Sequence, residues 1–165
     1  MSVALLMGSD SDYDRLKSCV DTLKGLEIPV EVRVLSAHRT PGALVEFVTE
    51  APGRGVRLFL CAAGGAAHLA GVVAAHTSLP VLGIPMDNPP FDGLDSLLST
   101  VQMPGGVPVA TFGAGPGGPP NAALFAARVL ALSDPALAER LARHRDAQAT
   151  KVAAKDAALQ AKLKA

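Results

Sequence analysis

A histidine and an arginine stand side by side in the segment Ser36-Ala37-His38-Arg39-Thr40-Pro41. Histidine exchanges protons near neutral pH, and arginine keeps a fixed positive charge that pairs well with phosphate. A single histidine is more often structural than catalytic, but this one follows a strand-like run and precedes a helical pattern, where enzyme sites are common. The segment therefore predicts an acid/base group, His38, beside an anion-binding group, Arg39.

A second polar segment, Gly8-Ser9-Asp10-Ser11-Asp12, follows the first apolar run of the chain. The hydroxyls of Ser9 and Ser11, together with backbone N–H groups at a helix start, suit a phosphate. The carboxylate of Asp12 does not favour phosphate, but it suits the hydroxyls of a ribose. Ser11 or Asp12 could equally cap the following helix, so this segment alone leaves both interpretations open.

Paired glycines, Gly64 and Gly65, come at the end of the third apolar run and precede Ala66-Ala67-His68. Glycine exposes backbone N–H groups to a ligand where a strand turns into a helix, although it could equally allow close helix packing. His68 could contact a ligand or lie on a helix face, and its spacing does not decide between them.

No lysine or arginine occurs from residue 58 through residue 127. A bound phosphate must therefore find its cationic partner elsewhere, with Arg39 the natural candidate and Arg15 a weaker one. The same stretch lacks the closely spaced ligands typical of a catalytic metal site. Cys19 and Cys61 form no CxxC motif, so the sequence predicts neither a zinc site nor a disulfide framework.

Five short apolar runs must position these polar segments, and a helical pattern follows each run. Such runs are typical of parallel strands that helices cover on both faces. We therefore predict a three-layer α/β/α, flavodoxin-like fold, with five parallel strands in the order 2-1-3-4-5. Thr40-Pro41 is predicted to be an N-cap followed by proline in the first helical turn. The predicted strands cover residues 3–7, 30–35, 58–62, 81–84 and 107–112, and the predicted helices cover residues 12–23, 41–50, 66–75, 94–101 and 121–132.

Residues 133–165 form a separate helical pattern that begins at Asp134-Pro135. Its charges alternate in sign, which favours a solvated face on a helix that packs on the body or on another subunit. We predict a single catalytic domain over residues 1–165, made of an α/β core at 1–132 and a C-terminal helical tail at 133–165.

Charge and composition argue against several classes of function. The chain has 15 Lys+Arg and 15 Asp+Glu, one Tyr and no Trp. A neutral chain with few aromatic side chains offers little to nucleic acid or to an anionic membrane. No apolar stretch approaches the length of a membrane span, and the N-terminus lacks a signal-peptide pattern. We therefore expect a soluble cytoplasmic protein that binds neither nucleic acid nor membrane.

Four motifs together form an ordered set that resembles the N5-carboxyaminoimidazole ribonucleotide mutase family of de novo purine biosynthesis. The resemblance runs from roughly residue 3 to residue 132. It implies a homo-octamer, a small ribonucleotide substrate, and neither a metal nor an organic cofactor. It also implies an isomerase reaction, in which a carboxylate leaves the exocyclic nitrogen as CO2 and joins C4 of the imidazole inside a closed pocket. The four segments are residues 8–12, 36–41, 63–69, and 95–97 with 101–104.

The resemblance also assigns roles to individual residues. His38 matches the general acid/base of the family. Ser9 and Arg39 match phosphate-side and ribose-side positions, Ser36 matches another phosphate-side contact, and Asp12 matches a ribose contact. The loop that encloses the carboxylate or CO2 is matched by Gly64, Gly65, Ala66 and His68. Residues 87–93 and 115–120 depart from the family pattern by their richness in proline or glycine.

Three alternatives are weighed against this interpretation. A related branch carboxylates aminoimidazole ribonucleotide directly with CO2, but Arg39, Pro41 and Gly65-Ala66-Ala67-His68 favour the mutase branch. A phospho-receiver switch needs an aspartate after strand three and a lysine after strand five, and the chain has neither there. A flavin- or nucleotide-binding module fits the first loop in part, but only Phe91 offers an aromatic wall in the later loops.

Overall fold

Five short strands form one parallel sheet in the computed structural model, which describes residues 1–164. The strand order is β2-β1-β3-β4-β5, as predicted, so β1 lies in the middle of the first three strands. In the register, Val3 pairs with Val30 of β2 on one side and with Leu58 of β3 on the other. The strands are β1 (Ser2–Met7), β2 (Val30–Val34), β3 (Val56–Ala63), β4 (Val81–Pro85) and β5 (Ala110–Thr111).

Helices follow the strands and cover both faces of the sheet. Because crossovers between parallel strands are right-handed, the step from β1 back to β2 puts its helix on the opposite face from the later crossovers. The helices are α1 (Tyr13–Gly25), α2 (Pro41–Glu50), α3 (Leu69–Ala75), α4 (Leu94–Val101), α5 (Gly118–Ala131) and α6 (Pro135–Leu163), with short 3-10 turns at Asp10–Asp12 and Ala51–Arg54. None of the helices within residues 1–164 is long and apolar enough to cross a membrane.

The alternation of side chains along the strands divides the core between the two faces. Ala4 and Leu6 of β1, with Phe59 and Cys61 of β3, belong to one buried cluster together with apolar side chains of α2 and α3. Val3, Leu5 and Met7, which alternate with them, are also fully buried and point to the opposite face. Burial on both faces explains why these strands read as continuous apolar runs.

Several predicted element boundaries differ from the structure: α5 begins three residues earlier than predicted, and two elements, β5 and α3, are clearly shorter than predicted. Strand β5 covers only Ala110–Thr111, because Pro108 has no N–H to donate to a sheet ladder. Helix α3 begins at Leu69 rather than at residue 66, because Oγ of Ser99 on α4 holds the preceding residues in a loop through bonds to the Gly65 carbonyl and the Ala67 N–H. The delayed start leaves residues 64–68 as an open loop at the end of β3.

The chain divides into two compact units, one covering residues 1–126 and the other starting at residue 127. The division falls inside α5, earlier than the predicted boundary after residue 132. In the second unit, α6 begins as predicted: Asp134 is the N-cap, and its carboxylate accepts a hydrogen bond of 3.0 Å from the Leu137 N–H. Leu137 is buried, whereas Val152 and Leu159 are exposed in the single chain.

Candidate active site

The carboxyl ends of β1, β2 and β3 open into one cavity of about 300 Å³. This edge is where the strand order reverses around β1, the usual ligand position in an open parallel sheet. The cavity brings together every predicted site residue except Gly65, which does not line it. Its wall consists of Gly8, Ser9, Ser11, Asp12, Ser36, Ala37, His38, Arg39, Ala63, Gly64, Ala66, His68, Leu69 and Asn88.

The loop after β1 folds on its own hydroxyl groups. Ser9 is the N-cap of the short 3-10 turn, and its Oγ accepts a hydrogen bond of 3.3 Å from the Ser11 N–H. The Oγ atoms of Ser9 and Ser11 lie 2.8 Å apart. Asp12 is the N-cap of α1, but its side chain makes no capping bond. Neither Ser11 nor Asp12 therefore caps the first helix with its side chain; Ser9 caps the 3-10 turn instead, and the Asp12 carboxylate is available to the cavity.

Asp12 is a buried carboxyl group in the cavity wall, only 5 % exposed. Its Oδ1 accepts a hydrogen bond of 2.8 Å from Nη2 of Arg15. Burial raises the pKa of Asp12 above its ordinary value, and the charge and hydrogen bond of Arg15 oppose that rise. The carboxylate thus pairs with a cation behind it and faces the cavity.

The loop after β2 closes on itself through Ser36 and Thr40. The Arg39 N–H donates to Oγ of Ser36 at 3.2 Å, and the Ser36 N–H donates to Oγ1 of Thr40 at 2.9 Å. Thr40 stands at the N-cap position of α2 and Pro41 lies in its first turn, as predicted, but Thr40 makes no side-chain capping bond to the helix. Its hydroxyl instead fixes the turn that carries His38 and Arg39.

Arg39 reaches across from the second loop to the first. Its Nη2 donates to the backbone carbonyl of Gly8 at 2.6 Å, and the side chain is otherwise exposed along the cavity wall. A second cavity of about 330 Å³ shares the wall formed by Gly8, Ser9, Ser36 and Arg39. The guanidinium group therefore stands where two concave surfaces meet, beside two serine hydroxyls.

Two histidines of the cavity form a hydrogen-bonded pair. Nε2 of His38 lies 2.8 Å from Nδ1 of His68, and the rings meet edge to face with centroids 4.9 Å apart. One ring must donate and the other accept, so the bond requires at least one neutral imidazole. The residues are 30 positions apart in sequence, and no pattern of residue types indicated that they would pair. The pairing arises because β2 and β3 lie on either side of β1.

Serines of α4 hold the other two loops of the site. Oγ of Ser99 lies 3.1 Å from both the Gly65 carbonyl and the Ala67 N–H, and so fixes the glycine loop after β3. Oγ of the fully buried Ser96 lies 2.8 Å from the Met86 carbonyl and thereby fixes the start of the loop after β4. Ser96 belongs to one of the four ordered segments, whereas Ser99 had no sequence signal.

Asn88 is a lining residue that the sequence did not identify. A Cβ placed on Gly64 would collide with Nδ2 of Asn88, so the amide lies directly over the glycine loop. No side chain or backbone group among residues 1–164 forms a hydrogen bond with the Asn88 side chain, which is half-buried at the cavity wall. The only feature of the sequence that pointed to Asn88 was its place in residues 87–93, which depart from the family pattern.

Arg15 and the two cysteines lie away from the cavity. Arg15, the weaker phosphate candidate, does not line it and instead binds the carboxylates of Asp12 and Asp87. Cys19 and Cys61 are buried free thiols, and burial raises the pKa of Cys19 to about 12. Across residues 1–164, no three His, Cys, Asp or Glu side chains are grouped so as to hold a metal ion.

The family model described as AIR carboxylase matches residues 2–151 of the chain. The chain belongs to the AIR carboxylase family. A relative from Brucella melitensis, named N5-carboxyaminoimidazole ribonucleotide mutase, is 50 % identical over 153 residues, which cover 93 % of this chain and 94 % of the relative. A relative from Mycobacterium tuberculosis with the same name is 51 % identical over 158 residues, or 96 % and 90 % of the two chains.

Solved structures agree with the fold of this AIR carboxylase family member. The crystal structure of Treponema denticola PurE superposes with a TM-score of 0.81 at 30 % identity and covers 94 % of this chain and 96 % of that one. A crystal structure of a PurE2 variant from the same organism superposes with a TM-score of 0.86 at 29 % identity, over 95 % and 98 % of the two chains. The similarities confirm the family that the four ordered segments predicted and set aside the receiver and flavin-module alternatives. They also identify the chain as an enzyme.

Proposed function

We propose that this chain converts N5-carboxyaminoimidazole ribonucleotide to 4-carboxy-5-aminoimidazole ribonucleotide, as a mutase of purine biosynthesis. Relatives that carry the mutase name are about half identical over nearly the full chain. The observation that carries the proposal is the His38–His68 pair, 2.8 Å apart, in a cavity whose wall also holds a carboxylate, hydroxyls and a guanidinium group. These groups suit the proton transfers of the reaction and the binding of the ribose and phosphate of that substrate.

The polar end of the cavity suits the ribose phosphate. Arg39 supplies the positive charge, and the hydroxyls of Ser9 and Ser36 lie on the same wall, which two cavities share. A charged donor beside neutral hydroxyls is a typical phosphate environment. Asp12, a carboxylate on the same side, accepts hydrogen bonds from ribose hydroxyls rather than from phosphate. This arrangement directs the imidazole toward His38.

The chemistry needs one proton delivered and one removed. As the N–C bond of the carbamate breaks, His38 protonates the exocyclic nitrogen and CO2 is released. C4 of the ring then attacks CO2 to form the new C–C bond, and His38 takes the proton that C4 loses. His68 forms a hydrogen bond with Nε2 of His38 and so keeps the His38 ring oriented during both transfers. The substrate and the product differ only in the position of the carboxylate, so no co-reactant is consumed.

CO2 must stay in the site between the two halves of the reaction. Gly64 and Ala66 present backbone and a small apolar side chain to the cavity, and Asn88 covers the same loop from the segment that follows β4. In the single chain, however, the side of the cavity that carries His38, Arg39 and His68 is exposed. We infer that substrate binding and neighbouring copies of the chain complete the enclosure, in keeping with a homo-octamer.

The decisive experiment compares two substrates with the purified protein. A mutase converts N5-carboxyaminoimidazole ribonucleotide rapidly and uses aminoimidazole ribonucleotide only when bicarbonate is high. The alternative function, direct carboxylation with CO2, predicts fast use of aminoimidazole ribonucleotide at low bicarbonate, and that result would overturn the mutase assignment. The predicted cytoplasmic location stays a prediction, to be checked by fractionation of cells that express the chain.

A further inference from the structure

Arg15 connects two walls of the active site from a position outside the cavity. Its Nη2 donates to Oδ1 of Asp12 at 2.8 Å, and its Nη1 donates to Oδ1 of Asp87 at 3.1 Å. Asp12 ends the loop after β1, whereas Asp87 begins the loop after β4 and directly precedes Asn88. One guanidinium group therefore bridges segments that are 72 residues apart in sequence.

We propose that Arg15 is a positioning residue of this site, which fixes the Asp12 carboxylate and, through Asp87, the segment that brings Asn88 over the glycine loop. The identity of the substrate in this proposal rests on the proposed function. The geometry of the Arg15 bridge does not depend on that function. Arg15 lines a separate cavity of about 240 Å³ behind the site, with Pro85 and Asp87, and so it acts only through other residues.

The planar guanidinium group suits this role because its two terminal nitrogens donate in fixed directions. A lysine ammonium could neutralise one carboxylate, but it could not hold both at a fixed separation. The side chains of Arg15 and Asp87 are about equally accessible, at 37 % and 38 %, whereas that of Asp12 is only 7 % accessible. Pairing is therefore strongest toward Asp12, where water screens the interaction least.

The charge of Arg15 also favours the ionised form of Asp12. Burial raises the pKa of Asp12, and Arg15 is the group that opposes this rise. Without Arg15, the buried carboxyl group would hold its proton to a higher pH and would lose acceptor positions for a ribose. The other charged or titratable side chains around this part of the site are Asp87 behind Arg15, Asp10 in the same 3-10 turn, and His38, Arg39 and His68 across the cavity.

The test uses Arg15→Met, which keeps an unbranched apolar stem in place of the arginine stem but removes the charge and the donors. We expect KM for N5-carboxyaminoimidazole ribonucleotide to rise about tenfold or more, kcat to change less, and the acid limb of kcat/KM to move to higher pH. Arg15→Lys should return the acid limb to its wild-type position while KM stays raised, since it restores the charge but not the bridge.

Arg54→Met is the matched control. Arg54 also contacts two carboxylates, those of Glu31 and Glu50, and its side chain is 40 % accessible. It lies just before β3, at the amino-terminal ends of the strands, whereas the active site lies at their carboxyl ends. The control should keep the wild-type KM and pH profile, and melting temperatures of both variants should show whether a loss comes from unfolding.

The outcomes separate the two proposals. If the wild-type chain does not turn over the substrate, the proposed function fails. If the wild type is active and Arg15→Met behaves like Arg54→Met in KM and pH profile, the positioning role is wrong. If Arg15→Met does not fold, Arg15→Lys decides: wild-type KM would overturn the bridging role, whereas a raised KM with an unshifted acid limb would support it.

Discussion

His38 and His68 form one proton-handling unit, because a single N–H lies between their facing nitrogens, 2.8 Å apart. Replacing His38 by Asn keeps a polar group but removes the group that exchanges protons. We expect His38→Asn to lower kcat by at least about a hundredfold, in line with typical losses of general acid/base catalysis. Calorimetric titration with the product should show that binding persists. Equal losses of binding and turnover would mean that His38 is structural instead.

Asp12 illustrates a conflict between function and stability. Its pKa in the folded state is raised, so the folded chain binds this proton more tightly than the unfolded chain does. Stability from this group is therefore greatest below its ordinary pKa of 3.8 and falls as the pH rises through the folded-state value. At neutral pH the buried charge destabilises the fold.

Asp12→Asn should accordingly raise the melting temperature at pH 7, and the gain should shrink as the pH is lowered toward 4. The same variant should bind substrate more weakly, because an amide offers fewer acceptors to a ribose. Thermal unfolding at several pH values, with Asp14→Asn on exposed α1 surface as the control, measures the first effect. A lower melting temperature at pH 7 would contradict the prediction.

At the scale of elements, the Asn88 side chain in the loop after β4 lies against the glycine loop after β3. A methyl group on Gly64 would displace the end of the Asn88 side chain, which can swing away without moving the backbone. Gly64→Ala should therefore change stability little but raise KM about three- to tenfold. Asn88→Ala should have a similar effect, because both variants remove the amide from its place over the loop.

The double variant should be no worse than either single variant, because the amide can be lost only once. Gly42→Ala, in the first turn of α2, is the control, since a Cβ there meets nothing within 4 Å. Steady-state kinetics of the four proteins complete the cycle. Fully additive increases in KM would show that Gly64 acts through something other than Asn88.

Most helices and strands could be predicted because the residues within each element favour the structure that the element adopts. Helix α2 occupies Pro41–Glu50 as predicted, with proline in its first turn and an apolar face that packs on β1 and β3. The start of α3 could not be predicted, because Ser99 of α4 holds the preceding loop open through bonds to Gly65 and Ala67. Such contacts depend on elements that come much later in the sequence.

The same limit applies to the site. The carboxyl ends of parallel strands meet at one edge, so the loops carrying Asp12, His38 and Gly64 could be grouped in advance. The His38–His68 bond, the Arg15 bridge and the position of Asn88 depend on side-chain directions across three loops. The pattern of residue types contains no information on those directions.

For the molecule as a whole, an apolar surface on α4 is left uncovered in the single chain. Leu94, Leu98 and Val101 recur on one side of α4, and all three are about half exposed, with Phe91 exposed just before them. A chain without net charge offers no general repulsion between copies. Both features support the proposed homo-octamer, in which such a surface would be buried.

Light scattering should therefore give a mass about eight times the 16.8 kDa of one chain. Leu98→Glu places a charge in the middle of the α4 surface and should shift the population toward smaller species at micromolar concentration. Leu132→Glu, at an isolated exposed leucine, is the comparison. A wild-type mass close to that of one chain would refute the octamer.

The uneven placement of cations has a practical consequence for chemical labelling. No lysine occurs from residue 25 to residue 150, and no lysine lines the cavity, where Arg39 is the cationic side chain with a permanent charge. Amine-reactive dyes, biotin esters and activated resins will therefore attach to α1, to the C-terminal helix or to the amino terminus. The lysines are Lys17, Lys24, Lys151, Lys155, Lys162 and Lys164. An immobilised or fluorescent form of the enzyme can thus be made without modifying a group that lines its cavity.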